Sequence, residues 1–224
     1  LARAAVEAGM PPVALVADPV AAVTRFLARE PFTGHVVVYD LGGGAFDVTA
    51  MTVAAAGVSI RGADSLADAG GLDLDATVIE ALRAGLRPAE IAAWDAPQAA
   101  NRFARLDLWH AARDAREELS RQESTLVAVP LAGRTIEVTR ADLDRASRPI
   151  LDRTVTATRA VLQAADIVRP DRILLVGGVA RMPLVAATVH EAFGLEPTVD
   201  DDPELAIASG AAATPVTATG PVPV

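Results

Sequence analysis

The sequence predicts an α/β fold, and three observations carry that prediction. Two runs of strand-forming residues flank a glycine turn in HVVVYDLGGGAFDVTAMTV, residues 35–53. A second, short apolar strand, RILLV at 172–176, runs through Gly177-Gly178 towards a helical stretch. Between and around them, apolar residues recur at the spacing of amphipathic helices rather than with the alternation of a β-sandwich.

Taken in order, Leu1 to Ala8 is alanine-rich and helical in pattern, yet it starts with neither Met nor a cap, so the chain reads as a fragment of something longer. Pro12 to Val16 reads as a short strand. Asp18-Pro19 then opens a helix through Arg29, with Asp18 as N-cap and Pro19 at the first helical position, where a missing N–H costs nothing. Val36 to Tyr39 and Phe46 to Val53 form a hairpin around Asp40-Leu41-Gly42-Gly43-Gly44, and Ala56 to Ala63 is a further strand. Asp68 to Asp75 (DAGGLDLD) is a loop that caps a helix through Arg83, and Arg87 to Pro97 is surface loop with a short helix. From Ala99 to Arg121 a helix shows an apolar face built on Phe103, Leu106, Trp109 or His110, and Leu119, with Arg113 on the same spacing. Ser124 to Pro130 and Thr135 to Val138 make a second hairpin around Ala132-Gly133-Arg134. Thr139-Arg140-Ala141-Asp142 is a capping box for a long helical region reaching Ala165, which Pro149 is expected to kink or divide. After Gly177-Gly178, Pro183 starts a helix from Leu184 to Phe193, and Asp202-Pro203-Glu204 opens another through Ala213. The tail from 215 to 224 is a flexible Pro/Thr/Val linker.

Composition narrows the function classes. With 224 residues, 51% of them hydrophobic, the chain can bury one sizeable core or two small ones. A net charge of -9 argues against nucleic acid as a partner, since phosphodiester binding needs a basic face. There is no cysteine, which removes disulfides and thiolate metal sites and fits a reducing compartment, with the cytoplasm as default. No apolar run approaches the roughly 20 residues of a membrane helix.

The chemistry concentrates at the glycines. Consecutive glycines lack Cβ atoms, so the N–H groups of Gly42, Gly43 and Gly44 can approach an anion closely. Asp40 and Asp47 bracket the turn and suit a hydrated Mg²⁺, which prefers few carboxylates and keeps much of its water. A Walker loop is excluded because the chain has no lysine, and a Rossmann turn because a strand rather than a helix follows the glycines. On residues alone an ordinary hairpin remains the alternative reading. Likewise Asp18 is equally well a plain helix cap, Arg181 a surface arginine, and the charged residues of 113–120 a solvated helix face.

Five motifs in order resemble the DnaK-type heat-shock chaperones of the actin and hexokinase ATPase superfamily. They are AGMPPVALVADPVAAVTRF, DLGGGAFDV, the Gly70-Gly71 and Asp73 pattern, ARDAREELSRQEST and VGGVARMP, with PELAIASGAA following near the end. The resemblance implies an actin-like ATPase fold of which this chain is the second lobe. A core subdomain of 1–66 with 147–214 would carry an inserted subdomain of 67–146. It implies ATP/ADP and Mg²⁺ as cofactors, with Asp40 and Asp18 in catalysis and Asp40 and Asp47 holding the metal through water. Gly42, Gly43, Gly44 and Ala45 would face the phosphates, and Arg116, Ser120, Gly177, Gly178 and Arg181 the nucleoside. Implied partners are the missing first lobe, a C-terminal domain, and a co-chaperone or exchange factor. Three positions depart from the family: Ala45 replaces a threonine that faces the terminal phosphate, Val179 a serine, and Arg113 an acidic ribose contact. These departures favour, as a rival, a non-hydrolysing regulatory module. A sugar or polyol kinase of the same superfold is a weaker rival, since VGGVARMP argues against it.

Overall fold

The computed structural model describes residues 2–10, 13–95 and 102–214. Ala2–Glu7 forms α1 and Asp18–Leu27 forms α2. Gly34–Leu41, Phe46–Ala54 and Gly57–Leu66 are β1, β2 and β3. Three helices follow: α3 (Gly71–Ala84), α4 (Pro88–Trp94) and α5 (Arg102–Leu119). The hairpin β4 (Ser124–Val129) and β5 (Arg134–Thr139) leads into α6 (Arg140–Ala164). The chain ends with β6 (Arg172–Val176), a 3-10 turn (Gly178–Arg181), α7 (Pro183–Phe193), β7 (Thr198–Val199) and α8 (Ala206–Ala213).

One five-stranded sheet, ordered β3-β2-β1-β6-β7, organises these elements. Its first three strands meander antiparallel, while β1, β6 and β7 are parallel. Side chains alternate across a strand, so the central strand β1 splits its residues between two cores. Val37, Tyr39 and Leu41 face a large cluster shared with α3, α5, α6 and α7. Val36 and Val38 face a smaller one, where Met51 and Val176 meet Ala22 and Val23 of α2. Both β1 and β6 are therefore nearly continuous apolar runs, as strands buried on two faces must be. Helices α2 and α8 cross so closely that a Cβ at Gly210 would lie 1.9 Å from the Ala21 carbonyl oxygen, which is why a glycine stands there.

Several expectations change. Val13 to Val16 pairs with no strand among the described residues, and Val13 and Leu15 are exposed; an apolar tetrad makes a strand only where an edge receives it. Pro12 lies outside the described residues, as do residues 99–101 of the expected helix and the 215–224 tail. Helix α2 ends at Leu27 rather than Arg29, and its N-cap is Ala17, with no side-chain capping bond from Asp18. Thr139 does cap α6, accepting from the Asp142 N–H. Pro149 does not divide α6, because buried residues on both sides of it, Leu143 and Ser147 before and Leu151 and Thr154 after, hold the helix together. The apolar face of α5 is also different. Phe103, Leu106 and Trp109 are exposed, and the buried stripe is Leu108, Ala112, Ala115 and Leu119, whose small residues let α3 approach. No helix among the described residues is long and apolar enough to cross a membrane.

Candidate functional site

Parallel neighbours end on the same side of a sheet, so the residues after β1 and β6 are brought together by pairing alone. Asp40 stands opposite Val176 in that ladder and opposite Asp47 in the β1–β2 ladder. Gly177 follows at once, with φ +87, a left-handed conformation that favours glycine. A Cβ there would lie 2.4 Å from the Leu41 carbonyl oxygen and 2.8 Å from a carboxylate oxygen of Asp40. The two glycine motifs, 133 residues apart in numbering, thus form one surface at the carboxyl ends of the strands, where ligands of open α/β sheets bind.

The hairpin turn is held from below. The Gly42 N–H donates to the Ala45 carbonyl (3.1 Å), and the carbonyls of Gly42 and Gly43 accept from the N–H groups of Gly71 (2.9 Å) and Leu72 (2.8 Å) at the start of α3. A Cβ at Gly70 would strike Ala45 N at 2.4 Å, and one at Gly71 would press on Val179 at 3.1 Å. Asp73 completes the clasp by accepting from the Gly70 N–H at 2.8 Å. None of Gly42, Gly43 and Gly44 has a positive φ, so their value is lack of bulk rather than turn geometry. The outer side of the turn is open: a Cβ on Gly44 would meet nothing within 4 Å. The N–H groups of Gly43 and Gly44 donate to no partner among the described residues. Unpaired donors on a backbone without side chains fit a phosphate group.

On one side of the turn lies an acidic hollow of about 470 Å³ shared by Asp18, Asp40, Asp47, Thr49 and Asp64. Burial, then the carboxylates of Asp47 and Asp18, push Asp40 up to about 6. Among the described residues, no three His, Cys, Asp or Glu side chains come close enough to hold a metal directly. All-oxygen donors spread around a hollow fit a cation that keeps its waters, which is the behaviour of Mg²⁺ rather than of a metal in a tight protein cage.

On the other side lies a cleft of about 780 Å³ lined by Arg116, Ser120, Gly178, Arg181 and Glu204 among others. Four residues expected to face a nucleoside therefore meet there. Arg181 is aligned by Glu204 (3.1 and 2.8 Å) and Asp202 (3.4 Å), with 45% of its side chain exposed. Ser120 donates to the Arg116 carbonyl at 3.1 Å. Arg116 is no solvated helix residue: only 5% exposed, it donates from Nε to Asp75, itself 1% exposed, at 2.6 Å. Such a pair is costly to break, because the survivor is left charged and buried.

The whole matched length now speaks to ancestry. The family model described as Hsp70 protein matches residues 1–222. This chain belongs to the Hsp70 family. The chaperone protein HscA homolog of Bordetella petrii is 35% identical over 210 residues, which cover 92% of this chain and 32% of that protein. The mitochondrial-type heat shock protein 70 of Encephalitozoon cuniculi is 28% identical over 215 residues, covering 92% and 36%. An HscA homolog of Variovorax paradoxus is 34% identical over 218 residues. The chain spans about a third of the length of these relatives.

As an Hsp70-family chain, it is part of an actin-like ATPase fold, as the motif resemblance implied. Membership also organises what residue reading missed. Gly70 and Gly71 were legible as a loop, but their role as the buttress of the 42–45 glycine turn needs the tertiary contact. Asp75 gave no signal, since its partner lies 41 positions away, and Glu204 gave none as the holder of Arg181. Val179, a departure where the Hsp70 pattern has serine, is buried against Gly71 and serves packing.

Proposed function

We propose that this chain forms one wall of the nucleotide cleft of an Hsp70-type chaperone, and that the whole protein hydrolyses ATP to ADP and phosphate to drive protein folding. The observation that carries this reading is the meeting of the two glycine turns, 42–44 and 177–178, around Asp40 at the carboxyl ends of β1 and β6. In this reading Gly43 and Gly44 donate N–H groups to phosphate oxygens. Arg181, held flat by Glu204 and Asp202, offers its planar face to the base, and Ser120 its hydroxyl to the sugar side. Asp40, Asp47 and Asp18 would hold Mg²⁺ through its waters, and the ion would supply neutralising charge for phosphoryl transfer. The burden on the protein is positioning, which the sheet and the α3 clasp supply.

The same proposal divides the chain into a core subdomain, 1–66 with 147–214, and an inserted one, 67–146. An opposing lobe, a C-terminal domain, and a co-chaperone or exchange factor are its partners. A cytoplasmic setting goes with it, because a chain without cysteine needs no oxidising compartment. Ala45 supports a second reading, a nucleotide-binding module without turnover, since the turn offers no hydroxyl to the terminal phosphate.

Steady-state phosphate release by the full-length protein separates the two. Hydrolysis that needs Mg²⁺ and falls at least a hundredfold in Asp40→Asn, with the fold intact by thermal melting, is the expected result. Binding of ADP without any turnover selects the module, and turnover indifferent to Asp40→Asn returns Asp40 to a turn residue.

A further inference from the structure

The Hsp70 pattern has an acidic residue where this chain has Arg113, and the structure gives that arginine a position no ribose contact explains. Arg113 lies on α5, one turn before Arg116, and its Nη2 stands 3.9 Å from where a Cβ on Gly43 would be. The guanidinium therefore lies over the Gly43 side of the turn, whose Gly43 and Gly44 N–H groups have no partner among the described residues. Its only ion pair among the described residues is long, Nε to Asp75 at 4.0 Å. Asp75 already receives the short bond from Arg116, and Glu117, at 4.0 Å, faces Arg116. Arg113 is tethered but not consumed, with 51% of its side chain exposed.

We propose that Arg113 is a phosphate-binding residue of this cleft, closing an anion clamp with the N–H groups of Gly43 and Gly44. The inference rests on the nucleotide reading above and adds a selectivity to it. A guanidinium presents paired donors that match phosphate oxygens, and hydrogen bonds to charged partners are the stronger kind. The site thus recognises a nucleoside di- or triphosphate by its phosphate chain, and it gives up the acidic contact that would report the ribose. Asp75 is the positioning residue: it fixes Arg113 from behind while its charge is satisfied by Arg116.

The test is calorimetric titration of the full-length protein and its Arg113→Gln and Arg113→Lys variants with ADP, adenosine and pyrophosphate, at two salt concentrations. We expect Arg113→Gln to weaken ADP and pyrophosphate about tenfold, to leave adenosine unchanged, and to flatten the salt dependence; Arg113→Lys should restore part of the loss. Equal weakening of ADP and adenosine would make Arg113 a purely structural prop of α5 and overturn the proposal. So would ADP and pyrophosphate affinities that ignore the substitution, or a wild-type protein that binds no pyrophosphate. Wild-type protein that binds pyrophosphate through Arg113 but holds ADP no better, and adenosine not at all, would sustain the clamp and sink the nucleotide reading instead.

Discussion

Asp40 is the residue on which the site's electrostatics turn, and its ionisation opposes folding. Burial and two neighbouring carboxylates hold it at about 6, whereas an unfolded aspartate titrates near ~4. The folded state thus binds the proton more tightly, so this contribution to stability is fully present below about pH 4 and is lost as pH rises through about 6. A rise of about two pH units is worth up to ~3 kcal/mol, and partial exposure reduces it to about 1–2 kcal/mol. Asp40→Asn should therefore raise the melting temperature at pH 7.5 without divalent cation by roughly 3–6 °C. That gain should shrink below pH 5, and Mg²⁺ should stabilise wild type alone. A difference independent of pH would show that Asp40 carries no such cost. At this scale the glycines and aspartates of the site were readable because backbone freedom and charge are local properties. For Arg116 the alternative of a solvated helix face fails, since its burial depends on Asp75, which only folding brings near.

Helices and strands read best where their signals are covalent or capping, and worst where packing decides. The Thr139 cap, the hairpins and the strand at 172–176 were all legible. The buried stripe of α5 was not, because the eye follows Phe103 and Trp109 while the contact with α3 selects small residues at 112 and 115. Val13 to Val16 failed as a strand for want of a neighbour, and Pro149 failed as a break for excess of neighbours. The same logic makes Gly210→Ala the most damaging small change in α8. Its new methyl would meet the Ala21 carbonyl at 1.9 Å, and backbone can yield only by parting α2 from α8. A loss of about 3 kcal/mol in urea unfolding is expected, at the upper end of overpacking costs. Gly44→Ala is the control, with open space around the new methyl and ordinary φ; it should leave stability within about 0.5 kcal/mol. Equal effects at the two positions would mean that the α2–α8 contact is looser than described.

For the whole molecule, what matters is that the candidate site lies on an open face. The glycine turn, the acidic hollow and the Arg181 cleft gather around the carboxyl ends of β1 and β6, and the chain matches only about a third of its relatives. Binding and catalysis respond differently to that openness. In the proposed reading a nucleoside would settle against Arg181 and Ser120 from one side, and N–H groups of a preformed turn keep their direction in water. Stabilising the charge that develops on a transferring phosphoryl group is harder, because it needs donors on every side in a site from which water is excluded. Exposed to solvent, each contact is screened towards the value it has in water, where unit charges at 4 Å interact by only ~1 kcal/mol. The purified 224-residue chain should accordingly bind ADP weakly and release no phosphate from ATP above background. Calorimetry with ADP and a phosphate-release assay, run on the same preparation, measure the two halves. Phosphate release at a robust rate, abolished by Asp40→Asn, would show that this wall alone organises the reaction and that the opposing lobe is dispensable for chemistry.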